Sequence, residues 1–144
     1  MANQIDNIIE DIKQQYLEDD NNIPWIIGFS GGKDSTVVLT LVWKALQAIQ
    51  AERGQTALGR DVYVVNNDTL VENPIITDYV ADVLDYIRDA ANKQNLPISV
   101  KVTEPKLEDC FWVSFLGKGY PVPNNAFRWC TERLKIKPTS QFIL

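Results

Sequence analysis

Histidine is absent from all 144 residues. That excludes Ser-His-Asp triads, Cys-His dyads, HExxH zinc sites and histidine proton shuttles built from this chain alone. Cysteine is almost as scarce. Cys110 and Cys130 do not make a disulfide framework. No apolar run approaches the roughly 20 residues that a membrane span needs. The acidic, amphipathic N-terminus does not read as a secretory signal. A soluble, reducing, cytoplasmic protein without a membrane partner is the expectation. Positive charge is also in deficit: 14 Lys and Arg against 19 Asp and Glu leave a net charge of −5. This argues against non-specific coating of DNA and leaves room for a local basic patch. What is present, 45% hydrophobic and 23% charged residues, is ordinary for one globular domain over residues 1–144. Residues 1–22 read as an N-terminal helix and turn, and 23–144 as the core.

Hydrophobic periodicity orders the chain. Ile5, Ile8, Ile9, Ile12, Tyr16 and Leu17 share one face of an amphipathic helix. Asp19-Asp20-Asn21-Asn22 reads as a turn, and Pro24 to Ser30 as a short buried strand. The next helix, Asp34 to Gln50, would bury Val37, Val38, Leu41, Val42, Ala45, Leu46 and Ile49. Asp61 to Asn67 reads as a second buried strand. Asn73-Pro74 is a helix start, a cap followed by proline at the first position. In the third strand Ile98, Val100 and Val102 alternate with Ser99, Lys101 and Thr103, so one face is less buried. Leu107, Cys110, Phe111, Ser114 and Phe115 predict one face of a short helix ended by Gly117, with Cys110 a core thiol. The element order predicts an α/β fold, a three-layer parallel sheet with crossover helices. Such sheets bind ligands beyond the carboxyl ends of their strands. Three strands are few for a doubly wound sheet, so the expectation is the N-terminal part of a longer chain.

The sharpest local signal is Ser30-Gly31-Gly32-Lys33-Asp34-Ser35, between a strand and a helix. Glycines permit a tight turn and close approach to a ligand. Amides of the turn and of the helix N-terminus favour negative charge. Ser30 and Ser35 add hydroxyls, and Lys33 a mobile cation. Asp34 either caps the helix or holds Mg²⁺ bridging to phosphate. The plainer reading is a tight turn before a capped helix. The spacing is not that of a Walker loop. It resembles the SGGxDS loop of the ATP pyrophosphatase (PP-loop) superfamily, whose fold is adenine nucleotide alpha hydrolase-like. In that superfamily the loop grips the pyrophosphate of ATP, which is cleaved between its α and β phosphates. The resemblance implies ATP and Mg²⁺, with phosphates held by Ser30, Gly31, Gly32, Lys33, Asp34 and Ser35, and a catalytic role for Lys33.

Two further segments extend the resemblance. Asn67-Asp68-Thr69 ends the second strand, which in the superfamily, with Phe29, lies on the adenosine side. Asp68-Thr69 resembles the start of the DTG motif of sulfonucleotide reductases, with Leu70 in the glycine's place; read alone, Asp68 is a turn or cap residue. The run Arg128-Trp129-Cys130-x-x-Arg133, followed by Lys135, Lys137 and Pro138, carries four cations able to hold sulfate, phosphate or a nucleic-acid backbone. Flanking cations favour a reactive thiol at Cys130; the bland alternative is an inert thiol beside a solvated basic face. The run resembles the CCxxRKxxP stretch of adenylyl-sulfate reductases, where paired cysteines hold an iron–sulfur cluster. Here Trp129 replaces the first cysteine and Pro138 falls one position late.

Together, over residues 22 to 138, these segments look most like the DndC family of DNA phosphorothioation sulfurtransferases. The resemblance implies ATP pyrophosphatase activity that activates an acceptor for sulfur supplied by a cysteine desulfurase. The acceptor would be a DNA phosphate approached by Arg128 and Arg133. Cys130 would be a sulfur carrier or an iron–sulfur ligand, and the full-length protein would hold a 4Fe-4S cluster. Other phosphorothioation proteins would be partners. Two alternatives stay open: a reductase of adenylyl sulfate or its 3′-phosphate, and a nucleotide-binding scaffold subunit without turnover. An uncovered sheet edge would also favour homo-oligomers.

Overall fold

The computed structural model describes residues 2–18 and 23–144, and the turn expected at Asp19 to Asn22 lies outside the described residues. Strands β1 (Trp25–Gly28), β2 (Val62–Asn67) and β3 (Ile98–Thr103) form a parallel sheet in the order β1-β2-β3. Ile27 pairs with Val64, and Val64 with Val100. The crossovers are helices α2 (Lys33–Arg53) and α3 (Pro74–Lys93). Two right-handed crossovers stepping the same way along a sheet put both helices on one face. That face carries Ile27, Val62, Val64 and Ile98, which pack with Leu46 and Ile49 of α2 and Leu84 and Ile87 of α3 into one core. The start of α3 is as expected: Asn73 Oδ1 accepts from the Ile75 amide at 3.0 Å, with Pro74 in the first turn.

Helix α1 (Ala2–Glu18) docks on α2. The docking uses its C-terminal half. Tyr16 meets Trp25 edge-on at 5.4 Å and donates to the Arg60 carbonyl at 2.5 Å. Ile5 and Ile8, expected in the stripe, are exposed.

Three other expectations need correction. The inward stripe of α2 is Leu39, Val42, Ala45, Leu46 and Ile49, at 3, 3, 1 and 3 spacing, so Val37 and Val38 are turned outward. β1 is not buried on both sides, because Ile26 is 40% exposed. By strand alternation Ile26 shares the second sheet face with Tyr63, and that face meets the C-terminal helix through Phe142, edge-on to Tyr63 at 5.6 Å. Finally, residues 107–117 do not form a regular α-helix. A tight turn at Leu107–Asp109 gives way to a π-helical segment, Val113–Gly117. This winding leaves Leu107 exposed and Cys110 half-buried, its thiol 3.5 Å from the Lys106 carbonyl.

The centre of the C-terminal region is aromatic. Trp129 is 5% exposed, stacks on Phe111 at 5.4 Å, and donates its indole N–H to the Pro121 carbonyl at 2.9 Å. It opens a helical run of α4 (Trp129–Thr131), a π-helical segment (Glu132–Ile136) and α5 (Lys137–Ile143). No described helix is long and apolar enough to cross a membrane.

Candidate functional site

The Ser30–Ser35 segment links β1 to α2 at the carboxyl end of the sheet. Its geometry follows from its glycines. Gly31 has φ +78°, a left-handed conformation, and packs directly against α3. Gly32 is the residue that caps α2, with no side-chain cap. Asp34 therefore does not cap the helix. It is exposed in the first turn, beside the hydroxyls of Ser35 and Thr36, which donate to the Gly32 carbonyl at 3.0 and 2.8 Å. Ser35 Oγ also accepts from the Ser30 amide at 3.3 Å, which closes the turn. The amides of Lys33, Asp34 and Ser35 lie in the first helical turn, where no intrahelical acceptor reaches them. Lys33 is exposed and forms no ion pair or hydrogen bond among the described residues. Four features thus converge: a left-handed glycine, unclaimed amides, a helix N-terminus and a free cation.

Beside the loop lies a cleft of about 250 Å³. Ser30, Asn67 and Asp68 line it, so the structure brings the ends of β1 and β2 together there, while Gly31 to Ser35 and Thr69 do not line it. Five polar residues that the sequence reading did not single out for the site also line it: Asn66, Glu72, Thr77, Asp85 and Arg88. Lys135 enters the same cleft from the C-terminal run. Thr69 is buried, its hydroxyl 3.3 Å from Glu72 Oε1. Phe29 is 3% exposed and belongs to the core, so what it offers at the strand end is backbone. Its amide donates to the Val65 carbonyl at 2.8 Å. Leu70 stands at the turn after β2 with φ +61°, and its amide donates to Asp68 Oδ1 at 2.9 Å.

No family model matches the chain. It is similar to Uncharacterized protein MJ0066 of Methanocaldococcus jannaschii, 32% identical over 120 residues. That alignment covers 83% of this chain and 20% of the relative, so the chain spans about one fifth of the relative's length.

The basic run divides into separate duties. Arg133 Nη1 pairs with Asp109 Oδ1, and its Nη2 donates to the Tyr120 hydroxyl at 2.7 Å. Its guanidinium also lies 4.8 Å from the Tyr120 ring centre. Lys137 is 3.5 Å from the other oxygen of Asp109. Both cations are thus bound within the chain. Arg128 is exposed, held only by Asn125 at 3.2 Å. Lys135 has no partner among the described residues. Neither Arg128, Arg133 nor Cys130 lines the cleft. Among the described residues no three His, Cys, Asp or Glu side chains lie close enough together to hold a metal ion. The neighbour of Cys130 in the motif is the core residue Trp129. Mg²⁺ is a different case, since it needs one carboxylate with phosphate oxygens and water, and exposed Asp34 supplies that beside the loop.

Proposed function

We propose that the chain is the nucleotide-binding core of a PP-loop ATP pyrophosphatase of adenine nucleotide alpha hydrolase-like fold, acting in sulfur transfer to DNA. The observation that carries this reading is the Ser30–Ser35 turn itself. Gly31 is left-handed and Lys33 unpaired, at the carboxyl end of β1, beside a cleft that Lys135 enters from the C-terminal run.

In this reading the β and γ phosphates of ATP sit on the amides of Lys33, Asp34 and Ser35. Lys33 and Lys135 stabilise the charge that develops on the departing pyrophosphate, and Asp34 holds Mg²⁺. The adenosine runs past Asn67 and Asp68. An acceptor oxygen attacks the α phosphorus, the bond to pyrophosphate breaks, and the acceptor carries AMP. A sulfur nucleophile then displaces AMP. The exposed Arg128 is suited to a DNA phosphate as the acceptor. Cys130, half-buried on the same helical run, is the chain's own candidate sulfur carrier.

The place of Lys135 supports the resemblance. The amide of Lys137 bonds to the Glu132 carbonyl, a π-helical turn that takes up one extra residue. Pro138 lags the resembled motif by one residue, and the turn falls inside that interval.

The experiment supplies the intact protein with ATP·Mg²⁺, DNA and a cysteine desulfurase, and follows AMP and pyrophosphate. Replacing Lys33 and Asp34 with Ala is expected to abolish both products. Unchanged turnover would contradict the reading.

A further inference from the structure

Asn67, the last residue of β2, holds two hydroxyls on one oxygen. Its Oδ1 accepts from Thr103 Oγ1 at 2.5 Å and from Thr139 Oγ1 at 2.8 Å. Thr103 is its register partner at the end of β3. Thr139 comes from α5, 72 residues along the chain. Both lone pairs of the amide oxygen are thus engaged within the fold. Tyr63 lies four residues before Asn67 on the same face of β2, and it meets Phe142 of α5 edge-on at 5.6 Å. Thr139 and Phe142 are three residues apart, so they share one face of the helix. These two contacts seat α5 along β2 and fix its direction. From Thr139 to Phe142 the helix runs back from the carboxyl end of the strand. From Thr139 towards Lys135 it runs out past that end. Lys135 lies four residues before Thr139, on the same side of the run and about one turn further out. Side chains of a helix lean towards its N-terminus, here towards the cleft. Lys135 accordingly lines the cleft together with Asn67. Arg133 and Lys137, two residues to either side, are held elsewhere, on Asp109.

We propose that Thr139 is a positioning residue for the anion site: its hydroxyl, held by Asn67, sets the depth at which the helical run delivers the Lys135 ammonium to the cleft. The inference rests on the reading of the loop and cleft as the place of the pyrophosphate group. Thr139 does not line the cleft. It acts through Lys135 and not on the ligand. A lysine carries its charge on a long flexible stem, so its hold on an anion depends on where its backbone is fixed. Asp109 grips the run through Arg133 and Lys137. Thr139 ties it to the strand end beside the cleft. Removing the hydroxyl leaves Asn67 Oδ1 with one partner fewer and frees the run to shift. The loss at the anion is then a share of what Lys135 contributes, about tenfold for one charged hydrogen bond.

The test is calorimetric titration with inorganic pyrophosphate and Mg²⁺ of the wild type, Lys33→Ala, Lys135→Ala, Thr139→Val, Thr139→Ser and the double variant of Lys135→Ala with Thr139→Val. Lys135→Ala is expected to weaken pyrophosphate about tenfold, and Thr139→Val about three- to tenfold. Thr139→Ser keeps the hydroxyl and should bind as the wild type does. In the Lys135→Ala background Thr139→Val should have no further effect, because the two residues act as one unit. Wild-type affinity in Thr139→Val or in Lys135→Ala, with Lys33→Ala still weakened, would overturn the positioning role and spare the loop. A loss from Thr139→Val that persists in the Lys135→Ala background, or that Thr139→Ser shares, would overturn the route through Lys135. Failure of the wild type to bind pyrophosphate, or binding indifferent to Lys33, would overturn the reading of the loop and the inference with it. Should Thr139→Val not fold, Thr139→Ala replaces it with the same expectations.

Discussion

Gly31 sits so close to Val80 that a β-carbon built on it would lie 2.8 Å from Val80 Cγ2. The loop is therefore pressed onto α3. Gly31→Ala meets this clash and the left-handed backbone together. It is expected to cost about 1–3 kcal/mol in urea unfolding and to weaken nucleotide binding at least tenfold. Adding Val80→Ala removes the clash and leaves the backbone strain, so the double variant should recover only part of the loss. Unaltered stability of Gly31→Ala would refute the close packing.

Leu70 adopts the backbone that glycine takes readily, at the place where the resembled DTG motif has glycine. A left-handed leucine costs about 1–2 kcal/mol, and the extra chain entropy of glycine costs about 0.5–1 kcal/mol. With Leu70 half exposed, Leu70→Gly should stabilise the fold by roughly 0.5–1 kcal/mol. Leu70→Val, with its branched β-carbon, should destabilise it. Denaturant midpoints for the two variants decide the sign.

Asp109 is buried and anchors Arg133 and Lys137, the cations on either side of Lys135. Asp109→Ala leaves Arg133 largely buried without its counter-charge, which should cost about 2–4 kcal/mol. Although Asp109 does not line the cleft, the variant should also weaken pyrophosphate binding, because Lys135 loses the two fixed points that place it. Full affinity in a destabilised variant would separate Lys135 from the anion site.

Alkaline pH should loosen the docking of α1. Hydrogen bonds from Lys13 to Glu52 at 2.7 Å and to Glu10 at 2.9 Å raise the lysine's pKa above its ordinary value. Burial raises that of Tyr16. Both groups hold their protons more tightly folded than unfolded. Their contribution is complete below about pH 10 and is lost as pH climbs through the raised values. Stability followed across about pH 9 to 11 should fall, and Lys13→Met should flatten that fall.

The strand–helix alternation, the parallel sheet and the loop at its carboxyl end were all legible, because apolar spacing and Gly-Gly after a strand are local signals. The tertiary details were not. Leu39 replaces Val38 in the core of α2 because a one-residue step rotates a helical side chain by about 100°. Lys135, rather than Arg133, reaches the cleft because Asp109, far away in sequence, captures Arg133, and no spacing rule shows that pairing. Asn66 looks like any polar residue ending a strand until β1 is paired with β2 and the Phe29 carbonyl comes within reach. Trp129 shows no periodicity that marks it as core, and its stack on Phe111 becomes visible only in the fold.

The most direct test of the account is competition at the loop. ATP·Mg²⁺ is bound to the wild type and to Lys33→Ala, then challenged with adenylyl sulfate and its 3′-phosphate. ATP is expected to bind the wild type, Lys33→Ala to weaken it at least tenfold without changing thermal stability, and the sulfonucleotides to displace ATP poorly. Clear displacement by the sulfonucleotides, or ATP binding indifferent to Lys33, would contradict the assignment of the Ser30–Ser35 turn to the phosphates of ATP.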